Sequence, residues 1–304
     1  MELQQLRYLV AVARTGNFSR AAEQCHVSQP SLSQQVQKLE DELGERLFSR
    51  LKRRSVPTAA GEALLLRAAR ILGEVDAAHR DIADASGLLR GRVSVGVLPT
   101  IAPYLLPPVL SALARDRPGL EVEIHEDRTA ELLSAAAACE LDLAVLSLPV
   151  HDDRFVSEKL FEEELLLALP PGHRLEKKAK VGLADLEDER FILMKEGHCL
   201  GDQALRLCDR HGLHPQVVLR SAQLETVQAL VRAGVGISLV PAMARDPARP
   251  AQPVFRSLAA PRPKRVIGVV RRKEHHHSKA AQEFLRHLRL PSSSVPERPP
   301  SGRK

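Results

Sequence analysis

The sequence predicts an α/β protein that opens with an all-α helix-turn-helix module, and three observations lead there. Through the first 58 residues apolar side chains recur at helical spacing, with two short helices joined by a tight turn. From Ala59 to Ser86 a proline-free Ala/Leu/Arg-rich run follows, long enough for one extended helix. Beyond Arg92 the period changes to strands alternating with helices, which implies a parallel sheet covered by helices.

Composition narrows the classes. At 304 residues the chain is long enough for a full core and more than one domain. Four cysteines are too few for a disulfide scaffold, the N-terminus lacks a basic segment followed by an apolar run, and no stretch reaches the roughly 18 apolar residues of a membrane span. A cytoplasmic chain with no membrane partner, its thiols reduced, is expected. The net charge of +6 is a weak pointer to nucleic acid, because residues 1–58 and 262–304 are basic while residues 59–261 are acidic. Motifs have to decide.

Leu3, Leu6, Leu9, Val10 and Ala13 place one face of a first helix that stops near Thr15-Gly16. A second helix fits Ser19 to Gln24 with Ser19 as its cap. Ser28 caps a third, with Pro30 in the first turn and Leu32, Val36, Leu39 and Leu43 as its buried stripe up to Gly44. This is a helix-turn-helix plan, in which Gln29, Pro30, Ser31, Ser33, Gln34 and Lys38 stand where a recognition helix meets the major groove of double-stranded DNA. Arg50, Arg53, Arg54 and Thr58 follow as a cluster suited to phosphates.

The segments Phe18-Ser19-Arg20-Ala21-Ala22-Glu23, Val27-Ser28-Gln29-Pro30-Ser31-Leu32-Ser33, Leu39-Glu40, Leu43-Gly44, Leu47-Phe48-Ser49-Arg50 and Thr58-Ala59-Ala60-Gly61 resemble, in order and spacing, the signature of LysR-type transcriptional regulators. The resemblance covers the first 60 residues and implies a winged helix-turn-helix. Cys25 and Pro57 depart from the usual pattern, and Cys25 is expected to be a helix-packing residue.

Between Ala59 and Ser86, Leu64, Ala68, Ile71, Val75, Ala78 and Ile82 alternate four- and three-residue steps, the pattern of a coiled-coil seam. A long helix with small residues on its seam needs a partner. Dimerisation through Leu64, Ala68, Ile71 and Val75 is therefore expected, the alternative being a helix packed on its own domain. The family resemblance extends this to a homodimer or homotetramer with RNA polymerase as a further partner.

After Arg92, strands are expected at Val93–Val97, Val122–Ile124, Leu141–Leu146, Phe191–Met194, Val217–Leu219 and Gly236–Val240. Helices are expected at Tyr104–Arg115, Ala130–Cys139, Leu224–Ala233 and Ala280–Leu288. Two such halves, joined by crossing segments near Glu163–Pro170 and Lys264–Arg271, resemble the periplasmic-binding-protein-like regulatory domain of the same family. The expected domains are 1–58 (DNA binding), 59–90 (linker helix), 91–290 (regulatory, with subdomains of about 91–163 plus 268–290, and 164–267) and a tail at 291–304 too rich in Pro, Ser, Arg and Lys to fold. Three adjacent imidazoles, His275 to His277, cannot all face one ion, so they read as a solvated turn. No metal or cofactor is expected.

Cys199 and Cys208 lie nine residues apart in a segment whose helix is expected from about Gly201 to Arg210. Nine helical residues rise about 13 Å, half a turn out of phase. A disulfide needs Cα atoms within about 7 Å, so the pair could close only if the helix start unwound. Spacing alone leaves two readings open, a redox switch and two unrelated buried thiols. Gly197-His198-Cys199 with Asp202-Gln203-Ala204 and Cys208, Leu98-Pro99-Thr100 with Pro103-Tyr104-Leu105-Leu106-Pro107, His125-Glu126 with Thr129, and Arg265 with Ile267-Gly268 are similar to the OxyR branch of peroxide-sensing activators. That resemblance implies Cys199 as peroxidatic and Cys208 as resolving cysteine, with Thr100, Thr129, His198, Asp202 and Arg265 holding hydrogen peroxide or tuning the thiol. The chemistry is consistent, since a helix N-terminus and a nearby guanidinium or imidazole favour a thiolate. Cys139 is expected in the core. The competing functions are a LysR-type regulator answering a small organic effector, and a thiol peroxidase, which the helix-turn-helix and the lack of a Cys-x-x-Cys motif argue against.

Overall fold

The computed structural model describes residues 1–51, 54–84, 91–195, 197, 199–210, 212, 215–246, 248, 251–273 and 278–289, without the side chains of 50, 51, 76, 77, 79–84 and 210. The expectations for Arg53, His198, His275 to His277, the tail and the Arg50 side chain therefore lie outside the described residues. The chain divides into two compact units.

In the N-terminal unit, α1 (Leu3–Thr15) ends at Gly16, whose φ of 63° is the left-handed stop that glycine tolerates. The second helix, α2 (Phe18–Gln24), starts one residue earlier than its pattern suggests. Phe18 packs edge-on against Phe48 with ring centroids 5.8 Å apart, and Asn17 is the cap instead of Ser19, accepting from the Ser19 and Arg20 N–H groups at 2.8 and 3.2 Å. Ser28 caps α3 (Gln29–Leu43) as expected, with Pro30 in its first turn and Gly44 as its left-handed end. An antiparallel hairpin, β1 (Phe48–Leu51) and β2 (Arg54–Pro57), forms the wing.

The long helix α4 (Ala59–Asp84) starts where Gly61 lies against the Leu47 carbonyl, so close that a Cβ there would overlap it. Its expected seam divides. Ala68 is 0% exposed inside the core formed by Leu6, Leu9, Val12, Leu32, Val36, Leu39 and Leu47, and Leu64 packs on the same core. A side chain with no free surface cannot meet a partner helix, so Ala68 is a core residue of its own domain. Among the described side chains, the large apolar ones most exposed on α4 are Leu66 (58% exposed) and Ile71 (36%).

The C-terminal unit is built on β3 (Gly91–Val97), α5 (Ala102–Asp116), β4 (Leu120–Glu126), α6 (Thr129–Ala137), β5 (Leu143–Leu148) and the long β6 (Phe155–Leu169). It continues through β7 (Arg190–Met194), α7 (Cys199–Arg210), β8 (Gln216–Ser221), α8 (Leu224–Arg232), β9 (Ser238–Pro241), β10 (Val254–Arg256), β11 (Lys264–Arg272) and α9 (Lys279–Arg289). The sheet is mixed, not parallel as the alternation implied. The pairs β3–β4, β3–β5 and β7–β8 are parallel, whereas β11 runs antiparallel to β5 and β6, and β9 and β10 run antiparallel to β6. The reason is β11, which inserts antiparallel between β5 and β6. Nine residues of β6 pair with β11, Leu160 being skipped, and its last five pair with β9 and β10, so one strand serves two sheets. Cys139 lies just past α6, half-buried at φ 59° and not in the core. Among the described residues no helix is long and apolar enough to cross a membrane.

Candidate functional site

The site starts at the end of β7. The chain turns through Gly197, at φ 84°, and enters α7 at Cys199, two residues earlier than its sequence pattern suggests. Gly201 makes this entry possible, since a Cβ there would sit 2.7 Å from the Met194 carbonyl oxygen. Helix α7 can rest on the end of β7 only if that position is bare.

Cys199 therefore stands in the first turn of α7, half-buried, on the wall of a cleft of about 900 Å³. The cleft is shared by Thr129, Ser147, Asp202, Gln203 and Arg206, and is rimmed by His151, Arg262 and Lys264. Burial pushes the Cys199 thiol up. Arg265 opposes this most, helped by the Leu200 N–H and Arg206, while Asp202 adds to the rise. The guanidinium thus acts on the thiol in the expected direction, and burial acts against it. Cys208 is 2% exposed near the far end of the same helix, about 13 Å of rise away. Burial and Asp209 both raise its thiol.

Arg265, on β11, is fully buried. Its Nε donates to Glu163 Oε1 at 2.6 Å, Nη1 to Thr100 Oγ1 at 2.9 Å, and Nη2 to the Thr100 carbonyl at 3.0 Å. Thr100 is 2% exposed, and among the described residues it belongs to this arginine cluster and not to the cleft wall. Thr129, the first residue of α6, does reach the cleft, and its buried Oγ1 has no hydrogen-bond partner among the described residues. Asp202 also lines the cleft.

Sequence reasoning missed several members. Gln203 donates from Nε2 to Ser147 Oγ at 2.8 Å while its buried Oε1 has no partner among the described residues, so two orphan oxygens, Thr129 Oγ1 and Gln203 Oε1, belong to the same cleft. A small hydrogen-bonding molecule would satisfy both. Glu163, the partner of Arg265, hid inside the run Glu162-Glu163-Glu164. Strand alternation puts the middle residue on the opposite face from its two neighbours, and of the three Glu163 is buried, Glu164 half-buried and Glu162 exposed. Among the described residues no group of three or more His, Cys, Asp or Glu gathers to hold a metal.

On the N-terminal unit, Gln29, Pro30, Ser31, Gln34 and Lys38 are exposed along α3, Ser33 is half-buried, and Arg54 is exposed on the wing. Thr58 is different. Its hydroxyl donates to the Arg46 carbonyl at 2.6 Å and accepts from the Gly61 N–H at 3.1 Å, so it caps α4 instead of being held ready for a phosphate. Glu40 is buried and accepts from the Leu47 and Phe48 N–H groups at 2.8 and 3.3 Å, holding the wing to α3. Cys25 packs beside the core of this unit at the end of α2.

Residues 3–62 match the family described as bacterial regulatory helix-turn-helix protein, lysR family, and residues 86–290 match the LysR substrate binding domain. The chain is 38% identical over 273 residues, 90% of each chain, to the DNA-binding transcriptional dual regulator OxyR of Escherichia coli K12. Among solved structures it is similar to a full-length OxyR from Pseudomonas aeruginosa with a cysteine-to-aspartate substitution, at 32% identity and a TM-score of 0.80, covering 98% of this chain and 99% of that one. It is also similar to an OxyR from Corynebacterium glutamicum with a cysteine-to-serine substitution and hydrogen peroxide bound, at 33% identity and a TM-score of 0.62, covering 95% and 91%.

Proposed function

The chain belongs to the LysR family of bacterial transcriptional regulators and is OxyR-like within it, and from that premise we propose that it activates oxidative-stress genes by sensing hydrogen peroxide through a reversible Cys199–Cys208 disulfide. The observation that carries the proposal is the setting of Cys199. It stands in the first turn of α7, on a cleft with two orphan oxygens, under the field of a buried arginine. Peroxide held by Thr129 and Gln203 lies beside the thiol. As the sulfur gives up its proton and attacks one peroxide oxygen, the O–O bond breaks and hydroxide leaves to become water, giving a sulfenic acid. The Cys208 sulfur then attacks the Cys199 sulfur, the S–S bond forms and a second water leaves. Cys208 can arrive only if α7 unwinds, because nine helical residues separate the two. The refolded segment changes the regulatory unit, and the linker helix passes the change to the DNA-binding heads.

On DNA, Gln29, Ser31, Ser33 and Gln34 meet base edges while Lys38, Arg50, Arg53 and Arg54 meet phosphates. Leu66 joins the expected seam residues Ile71 and Val75 in the dimer contact. A homodimer or homotetramer that recruits RNA polymerase in the cytoplasm follows from the family. Gln34→Ala should change sequence preference by roughly 1 to 3 kcal/mol, whereas Arg54→Ala should weaken every DNA alike with a shallower salt slope. Peptide mass spectrometry of peroxide-treated protein, run beside footprinting on its own upstream DNA, tests the switch. A Cys199–Cys208 crosslink with an altered footprint is expected. An altered footprint without the crosslink refutes the two-cysteine mechanism.

The size of the cleft favours a second reading. About 900 Å³ is far more than peroxide needs and suits a small organic effector. In that case the footprint would respond to the effector and persist in Cys199→Ser.

A further inference from the structure

Glu163 and Arg265 are direct cross-strand partners in the β6–β11 ladder. Both side chains are buried, with Nε to Oε1 at 2.6 Å. The second carboxylate oxygen, Oε2, accepts the Met243 N–H at 3.0 Å, and the Met243 sulfur lies 3.7 Å from Arg265 Nη2. Met243 sits in the short 3-10 turn Ala242–Ala244 that follows β9. Glu163 is also two residues before the point where β6 leaves β11 for β9. One carboxylate thus ties the arginine of the first sheet to the backbone of the second at the crossover.

We propose that Glu163 is a positioning residue for the Cys199 chemistry, clamping the Arg265 guanidinium against Thr100 and Met243 and so setting how much of its charge faces the thiol. This rests on the reading of Cys199 as the reacting cysteine. The guanidinium donates to Glu163 and twice to Thr100, none of these bonds going to the cysteine. Its pull on the sulfur is therefore a field through low-dielectric protein, and a carboxylate at 2.6 Å from the cation cancels part of that field. Among the described residues, the other charged groups near the thiol are Asp202 and Arg206 on α7, Arg128, whose guanidinium lies against Gly197, and His151, Arg262 and Lys264 on the cleft wall. All six are exposed or half-exposed, so among these Arg265 and Glu163 are the pair whose charges water screens least. The purpose of the clamp is a thiol whose anion is opposed by burial and favoured by a cation held in one fixed place, ready as peroxide arrives.

The test titrates Cys199 in the full-length reduced protein by iodoacetamide alkylation across pH, with the Cys199 peptide quantified by mass spectrometry. Glu163→Gln keeps the shape and one acceptor for Nε but removes the charge. The alkylation inflection should move down by about one pH unit, a roughly tenfold gain in thiolate below both inflections. An inflection at or above wild type overturns the proposal. If the single variant does not fold, Glu163→Gln combined with Arg265→Gln leaves no buried charge unmatched and takes its place. Its inflection should lie above wild type, because the net pull of the cation is gone, and an unchanged value overturns the proposal. Alkylation involves no peroxide. A wild-type Cys199 that titrates normally but never forms a sulfenic acid with peroxide would refute the sensor reading, whereas a Glu163→Gln inflection at wild type would refute only the clamp.

Discussion

The two ends of α7 carry the same functional group in opposite surroundings. At Cys199 the helix opens onto the cleft, and the penalty of burial is opposed by Arg265, Arg206 and the Leu200 N–H. At Cys208 burial is joined by Asp209, and among the described residues no opposing cation or N–H acts on the sulfur. Both thiols are pushed up, yet of the described surroundings only those of Cys199 hold groups that would welcome an anion. The difference teaches that two thiols on one helix can face opposite electrostatics, and under the proposed switch the helix between them is a spacer keeping an attacking sulfur away from a sulfur not yet oxidised.

The largest effect should come from exchanging the two roles. Cys199→Ser should abolish the peroxide-dependent footprint, while Cys208→Ser should still form a sulfenic acid, trapped by a dimedone-type probe and advancing to sulfinic acid with excess peroxide. Probe labelling at position 208 in the Cys199→Ser protein would erase the distinction between the two ends. Next, Arg265→Gln removes the cation behind Cys199 and strands the buried Glu163. Urea unfolding should show a loss of roughly 3 to 5 kcal/mol, and the Cys199 alkylation inflection should rise while that of Cys208 stays in place. The smallest effect tests the spacer. Gly201→Ala drives a Cβ to 2.7 Å from the Met194 carbonyl in the reduced fold, costing about 1 to 3 kcal/mol of overpacking, less the better helix propensity of alanine. The reduced form loses relative to the disulfide, so the midpoint potential measured against glutathione should fall by about 30 mV for each 1.4 kcal/mol of net loss. A rise in potential would instead mean that the glycine serves to ease unwinding.

The sign of the pH dependence follows from the same pair. Both thiols lie above their ordinary value, so they hold their protons more tightly folded than unfolded. Their contribution to stability is complete below the unfolded thiol value and is lost as pH rises through the folded values. Cys199→Ser should flatten the alkaline end of a stability profile.

Periodicity and punctuation were enough for α1 and α3 of the DNA-binding unit. Ser28, Pro30, Gly16 and Gly44 announce helix boundaries by local backbone chemistry, which does not depend on distant residues. The family motifs likewise brought Cys199, Cys208 and Arg265 to notice before any fold was known. Three things were decided only by packing. Ala68 belongs to the core of its own domain because α4 lies on α1, a contact that no heptad pattern distinguishes from a partner helix. The sheet is mixed because β11 inserts antiparallel between β5 and β6, whereas alternation of elements records order along the chain and not strand direction. Glu163 is the partner of Arg265 because register places it opposite on the ladder and turns its two neighbours away. A sequence of three glutamates carries no mark for the one that will be buried, since that depends on a strand 102 residues away.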